Sequence, residues 1–575
     1  METVPFESAR DFADSPFPVT PIFGAATASW HQSYPPGIPP EIQYTPRRVE
    51  QLLQSAVERY PDRVSLRYFR TSHTYQELLD RVRQTAGAMR ELGIGTGDRV
   101  MLVLPNSPEF VIAWFAIHWL GAEAVPANPL MSAAELTGLA RKCGIQAVLG
   151  LDVRMKPVAE MASEVALKAV IVTSLAPHLP LGYRLAYTLQ KLAYGKPVAK
   201  KATKQLRFEE LASIGRPIAE PLLDDPSLPA VLQPTGGTTG SPKVAVLAHK
   251  NLCANVAQLH VWSGLEPGCE TFLSVLPFFH VYGATCAMLS PLVGGSTLIL
   301  QARFHPKRTL GLMDKYQPGI ALLVPFMIAS LNDEMRKRGK ALKGLRLCMS
   351  GASAMSGEVG REFEHLTGAT IIEGFGLSEA SPVTHSNPSD GTARIGSIGL
   401  PLPNTYVRLV DLETGTREVE FGEIGELIIK GPQIMQGYLD DPEETAIALR
   451  DGWLFTGDLA TVTRDGFFEI VDRKKDMIIS GGLNVYPSEV EEIIREHSAV
   501  ESCAVVGVPD RKYGELVCAW VVPSVGGPPN LEELKSFCRE RLSGYKVPRE
   551  FRVCDALPEN FLGKVRRIDL RNRAA

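Results

Sequence analysis

Zinc-like spacing is missing from this chain: its nine cysteines include no CxxC pair and no Cys/His cluster. An odd count without that spacing reads as reduced, mostly buried thiols and argues against a disulfide scaffold. A basic excess is missing as well. Lys plus Arg number 60 against 64 Asp plus Glu, a formal charge of −4, which excludes a dedicated nucleic-acid binder. No internal repeat is evident. The opening METVPFESARDFADSPF has neither a basic start nor an apolar run, so no signal peptide is expected there. Reduced thiols and the lack of a leader together give the expectation of a cytoplasmic protein.

Long charge-free stretches are scarce. One lies between Glu270 and Arg303 and is long enough for a membrane span. Pro277, His280, Pro291, Gly294, Gly295 and Ser296 interrupt it, and its patterning changes midway, so a buried strand, helix and strand is expected instead. The composition, 45% apolar and 22% charged, supplies enough apolar surface to offset chain entropy and excludes disorder as the dominant state.

Residues 1–46 are rich in Pro and Gly and read as an extended lead-in. From Arg47 onward helix-like and strand-like segments alternate. Val49–Tyr60 and Tyr75–Leu92 read as helices and Arg99–Leu104 as an apolar strand. Ser107 caps a helix that has Pro108 at its first position, and Ala124–Ala127 resumes as strand. That βαβ unit implies a parallel sheet buried on both faces. Strand-like runs recur at Phe272–Val275, Thr297–Leu300, Ala321–Val324, Leu345–Met349 and Thr370–Glu373. The expected fold is α/β: a large domain over 47–472 of doubly wound sheets, and a small α+β domain over 473–575. In the latter, Ser488 with Glu491 and Asn530 with Glu533 are expected to cap helices, and Ala504–Val508, Val517–Val522 and Phe551–Val553 to be strands.

Four segments carry chemistry. Thr235-Gly236-Gly237-Thr238-Thr239-Gly240-Ser241-Pro242-Lys243 follows an apolar run; its glycines admit close backbone approach, and its N–H groups, hydroxyls and lysine suit phosphate oxygens. It is not a Walker A loop, because Gly-x-x-x-x-Gly-Lys-Ser/Thr is absent. Glu373-Gly374-Phe375-Gly376-Leu377-Ser378-Glu379 closes another strand. There Glu379 is a hard oxygen ligand suited to Mg²⁺ beside nucleotide phosphates, Ser378 offers a hydroxyl and Phe375 a flat face for a base. Asp458, in Thr456-Gly457-Asp458, suits the two hydroxyls of a ribose, and Arg473 in Asp472-Arg473-Lys474-Lys475-Asp476 adds a charged donor. The fourth segment is Pro558-Glu559-Asn560-Phe561-Leu562-Gly563-Lys564-Val565-Arg566-Arg567, which alone reads as ordinary surface.

Taken in this order, the four segments resemble the adenylate-forming superfamily, and most closely its bacterial long-chain fatty acid–CoA ligases, over about Arg47 to Arg567. Leu232-Gln233 before the glycine loop, Glu373–Pro382, Val471–Ile478 and Ser480-Gly481-Gly482-Leu483-Asn484-Val485-Tyr486-Pro487 carry the closer likeness. The resemblance implies a small β-barrel-like subdomain within the large domain and a mobile small domain; it also implies that a carboxylate attacks the α-phosphate of Mg-ATP, and that coenzyme A then displaces AMP to give acyl-CoA. By position, Thr235 through Lys243 would hold the β- and γ-phosphates. Ser378 would touch the α-phosphate, and Glu379 would bind Mg²⁺. Gly351, Ala352, Ser353, Glu373, Gly374, Phe375 and Gly376 would lie at the adenine. Asp458 and Arg473 would hold the ribose, and Lys564 would stabilise the reacting groups. Lys475 would be a hinge that withdraws Lys564 and brings Gly481 and Gly482 towards the thiol, while His280 would lie by the acyl group.

Against that pattern Pro234 replaces a tyrosine and Val244 a glycine, and both bear on the phosphate loop. Other readings are a fatty acyl-AMP ligase serving a carrier protein, an aryl or short-chain acyl-CoA ligase, and a non-catalytic fatty-acid-binding protein at a membrane. Leu181 to Arg207 carries seven basic residues and no acid, with Leu181, Leu185, Leu189 and Leu192 in a helical stripe. Peripheral contact with a membrane surface is one reading of it, and a charged surface insertion is the other.

Overall fold

The computed structural model describes residues 19–22, 29–194, 204–235, 243–481, 483–511, 513–525, 527–559 and 564–574. The chain divides into two compact units, Met1–Tyr406 with Lys430–Leu449, and Val407–Ile429 with Arg450–Ala575.

In the first unit the βαβ reading holds at its first appearance. The strand Arg99–Val103 lies parallel to Glu123–Pro126 and Ala147–Leu151 in an eight-stranded sheet. Their connecting helix, Pro108–Trp119, has Ser107 at its N-cap accepting from the Phe110 N–H, and every one of its residues is buried. Burial of each large side chain there, Phe110, Trp114 and Phe115 among them, contributes about 1.5–3 kcal/mol. The helix's two polar side chains are accommodated in different ways. Glu109 meets His178 Nε2 at 2.6 Å, and His118 is kept neutral by burial, which lowers its pKa to about 3.

A second, nine-stranded sheet runs Leu400–Pro401, Val383–Ser386, Thr370–Gly376, Leu347–Ser350, Ile320–Leu323, Thr271–Ser274, Thr297–Leu300, Val64–Tyr68, Thr71–Thr74. From Val64–Tyr68 to Thr370–Gly376 its neighbours are parallel. The charge-free stretch after Glu270 supplies two of these strands, joined by a π-helix, Tyr282–Leu289, and a short α-helix, Ser290–Val293. Among the described residues no helix is long and apolar enough to cross a membrane.

The lead-in is more structured than its composition suggests. Glu41–Tyr44 pairs antiparallel with Val19–Ile22. Asn404 accepts from the Ile42 N–H at 2.6 Å and donates to the Ile42 carbonyl at 2.8 Å, and Ile38 and Ile42 are buried. Isolated apolar residues among prolines give no periodic signal, yet each finds cover.

The second unit holds two five-stranded sheets. In one, Trp453–Val462 pairs antiparallel with Gly425–Lys430 and with Phe468–Arg473. In the other, the hairpin Val500–Asp510 and Gly514–Pro523 packs helix Pro487–Arg495 over a core of Val490, Ile494, Val505, Val517 and Leu534. Asn530 caps Leu531–Arg541 as its sequence predicts. The capping box expected of Ser488 and Glu491 does not form. Helix Pro487–Arg495 starts from Tyr486 without a side-chain cap. Ser488 Oγ instead donates to the Val471 carbonyl and meets the Asp472 carboxylate at 2.7 Å, while Glu491 accepts from Arg567 at 2.7 Å.

Gly283 opens the π-helix against the preceding loop: a Cβ there would lie 2.1 Å from the Pro277 carbonyl oxygen. Gly283→Ala is expected to destabilise the protein by about 1–3 kcal/mol through overpacking. A thermal melt indistinguishable from that of the parent would refute the close approach.

Candidate active site

Parallel strands present their carboxyl ends on one edge of a sheet, where ligands of open α/β folds bind. In the nine-stranded sheet Ser350 is in register with Glu373, so Gly351 and Gly374 follow side by side. A Cβ on Gly351 would lie 3.3 Å from the Tyr282 ring and 3.4 Å from the Gly374 carbonyl oxygen. Backbone, ring and the half-buried Phe375 thus bound a narrow slot at this edge. Ala352 and Ser353 are exposed beside it, and Ala352 has a φ of 74°. Left-handed backbone at alanine carries strain of order 1–3 kcal/mol. Glu373 faces inward: its carboxylate accepts the Gly396 N–H at 2.8 Å, and burial raises its pKa.

Gly376 ends that strand, and Ser378 and Glu379 follow in a short 3₁₀ turn, both half-buried. Glu379 Oε1 accepts from the Tyr438 hydroxyl at 2.8 Å. Lys243 Nζ lies 5.0 Å from the Tyr438 ring centroid and 2.5 Å from Glu444 Oε2. Thr235 and Lys243 face each other across the strand ends, with Thr235 N–H donating to the Lys243 carbonyl at 2.8 Å. Gly236, Gly237, Thr238, Thr239, Gly240, Ser241 and Pro242 lie outside the described residues, so the structure brings together only the two ends of that loop. Among the described residues no three His, Cys, Asp or Glu converge as an all-protein metal cage. A single carboxylate, Glu379, fits Mg²⁺ held mainly by nucleotide phosphates and water.

His280 sits just before the π-helix, and its Nδ1 accepts from the Tyr282 N–H at 3.2 Å. That bond leaves the proton of the neutral ring on Nε2. Burial lowers its pKa to about 4, so the ring is neutral near pH 7. Asn106 fastens the same loop, donating to the Leu276 carbonyl at 2.8 Å and accepting from the Phe278 N–H at 2.8 Å.

The two departures beside the glycine loop settle into ordinary strand. Pro234 and Val244 are opposite one another in an antiparallel pair, and Val244 is fully buried. The valine has no left-handed φ, and a β-branched side chain suits extended backbone.

In the second unit the adjacent strands place Asp458 opposite Arg473, and Arg473 Nε meets Asp458 Oδ1 at 2.6 Å. Asp458 is 2% exposed. Lys564 is drawn into the same neighbourhood. Crowding by surrounding protein, then Arg473, Lys475 and Arg567, lower its pKa to about 8, with Asp458 pulling the other way. Arg567 is held by Glu491, and Arg571 meets Asp476 at 3.2 Å while donating to the Lys475 carbonyl at 3.3 Å. Gly481 donates to the Tyr513 carbonyl at 2.7 Å; Gly482 lies outside the described residues.

Tyr282, Asn106, Tyr438 and Glu444 were not among the residues singled out from sequence. Tyr282 lies two places after His280 in an aromatic-rich run, which was its available signal; the others meet their partners across long sequence separations.

A slot at parallel strand ends, a carboxylate beside a loop lysine and a carboxylate–arginine–lysine group agree with the sequence comparisons. Residues 53–439 match the AMP-binding enzyme family and 489–564 the AMP-binding enzyme C-terminal domain, and the chain belongs to this family. It is similar to a long-chain-fatty-acid–CoA ligase of Bacillus subtilis (strain 168), at 36% identity over 94% of this chain and 96% of that protein. A feruloyl-CoA synthase of Amycolatopsis sp is 34% identical over 89% of this chain and 96% of its own length. ATP-bound MatB from Rhodopseudomonas palustris superposes with a TM-score of 0.79 at 26% identity, covering 92% of this chain and 99% of that one.

The lowered pKa of Lys564 has a measurable consequence. The ammonium, present below about 8, is the form suited to an anionic centre, so kcat/KM for ATP is expected to fall as pH rises through about 8. Lys564→Arg should move that alkaline limb upward whatever its absolute rate. A limb that stays in place would assign it to another group.

Proposed function

We propose that this protein activates a fatty acid with ATP and transfers the acyl group to coenzyme A. The observation that carries the reading is the pairing of the buried Asp458 with Arg473 on adjacent strands, with Lys564 of the same unit close enough for both to act on its pKa. A carboxylate for ribose hydroxyls beside crowded cations for phosphate is what nucleotide chemistry requires. The near full-length similarity to a long-chain-fatty-acid–CoA ligase supports the substrate class.

In the first half-reaction a carboxylate oxygen of the fatty acid bonds to the α-phosphorus as the bond to pyrophosphate breaks. Thr235 through Lys243 hold the departing phosphates, and Ser378 and Lys564 stabilise the negative charge around the α-phosphate. The slot beside Gly351, Gly374 and Phe375 orients the base, while Asp458 and Arg473 hold the ribose. Mg²⁺, when bound at Glu379, neutralises phosphate charge. In the second half-reaction the coenzyme A sulfur bonds to the acyl carbon and AMP departs. Residues 473–575 act as a lid that turns at Lys475, withdrawing Lys564 and bringing Gly481 and Gly482 to the thiol. His280, neutral and fastened to the Tyr282 N–H, orients the acyl entrance. Peripheral membrane contact belongs to this reading, because long-chain acids partition into bilayers.

A second reading, an aryl acid as substrate, is favoured by the similarity to a feruloyl-CoA synthase. Pyrophosphate release across a panel of carboxylates separates the two. Turnover with long-chain acids is expected, turnover confined to aromatic acids would select the second, and fatty-acid binding without ATP cleavage would overturn both.

Lys564→Ala is expected to slow adenylation by about 100-fold or more, while sparing thioester formation from supplied acyl-AMP. Equal loss in both half-reactions would contradict the lid assignment. Asp458→Ala is expected to raise the KM for ATP about tenfold to a hundredfold, the worth of hydrogen bonds to a charged group. An unchanged KM would remove Asp458 from the ribose site.

A further inference from the structure

The helix Leu181–Tyr194 is held to its unit along one side only. Tyr187 is buried, its hydroxyl bonded to the Asp152 carboxylate and accepting from the Leu175 N–H at 3.2 Å, and Lys191 Nζ lies 2.9 Å from Asp152. On another side Leu181, Leu185, Leu189 and Leu192 are 76%, 67%, 60% and 78% exposed. At 3.6 residues per turn these four form one stripe, turned well away from the Tyr187–Lys191 anchor. Single exposed leucines are ordinary on a protein surface, but a continuous row of them marks a binding face.

The helix's own charged side chains, Arg184 and Lys191, are both basic. Arg184, Lys204, Arg207 and Arg308 are exposed, with the Arg308 guanidinium 5.1 Å from the ring centroid of Tyr183, itself 49% exposed. From Leu181 to Arg207 the sequence contains no acid. Asp152, the carboxylate against the helix, is engaged by Tyr187 and Lys191. Pairing this face with a second copy of itself would set like charges against one another, whereas an anionic headgroup layer complements them. The helix has 14 residues, too few to span a bilayer and enough to lie in its interface.

We propose that the leucine face of this helix docks the protein on a lipid bilayer bearing anionic headgroups. The leucines enter the acyl boundary, and Arg184 and Arg308 meet headgroup phosphates. The benefit of docking, delivery of a substrate dissolved in the membrane, rests on the fatty-acid reading above; the docking itself does not.

Flotation of the full-length protein with vesicles, in the absence of ATP and fatty acid, keeps the two separable. Wild type is expected to float with vesicles of phosphatidylcholine and phosphatidylglycerol, less with phosphatidylcholine alone, and less as salt rises. Leu185→Glu with Leu189→Glu should lower the bound fraction about tenfold or more with the circular dichroism spectrum retained. Leu130→Glu, at a leucine exposed elsewhere, should change nothing. Absence of flotation by wild type, equal flotation by the double variant, or equal loss with Leu130→Glu would overturn the proposal. So would a wild-type dimer that the double variant converts to monomer without any vesicle binding.

Discussion

Positive charge set against buried carboxylates, Asp458 foremost, organises the second unit. Arg473 is bonded to Asp458, Lys475 and Arg567 stand close by, and Lys564 enters this group with its pKa lowered to about 8. Removal from water, and after it repulsion by Arg473, Lys475 and Arg567, disfavours the ammonium of Lys564, whose proton can leave while the arginines keep theirs. In the proposed reaction an anionic nucleotide relieves that repulsion, so binding and protonation of Lys564 reinforce each other. The outer charges are tied down to make this possible: Glu491 holds Arg567, Asp476 meets Arg571, and Glu426 meets Lys474.

The first unit solves a complementary problem with backbone. Its slot is made where two parallel strands end in step, Gly351 beside Gly374, with the Tyr282 ring against them. A Cβ at 351 would be crowded by that ring and by the Gly374 carbonyl. Glu379 and Lys243 are joined through Tyr438, hydroxyl to one and ring face to the other, so the groups proposed for metal and phosphate share one support.

Much of this architecture was legible in the sequence because strands buried on both faces read as unbroken apolar runs. Arg99–Val103 and Thr297–Leu300 are of that kind, and Ser107-Pro108 and Asn530 mark helix starts by chemistry local to the chain. What escaped was long-range. Tyr438 reaches Glu379, Asn106 reaches Leu276, and Ser488 leaves its expected cap for Asp472, because tertiary partners outcompete the local ones. Residues 29–44 escaped for a different reason: Ile38 and Ile42 stand alone among polar and proline residues, and the segment is fastened by distant partners, Asn404 on Ile42 and the Pro401 carbonyl on Tyr34. The glycine-to-valine change at Val244 looked disruptive as a loop residue and is unremarkable as a buried strand residue.

The most direct measurement follows the oxygen. Long-chain fatty acid labelled with ¹⁸O in its carboxylate is turned over with ATP and coenzyme A, and the nucleotide product is examined by mass spectrometry. Attack on the α-phosphate leaves one labelled oxygen on AMP, the result expected here. Label appearing in inorganic phosphate, with ADP as the nucleotide product, would mean attack at the terminal phosphate and would contradict the account.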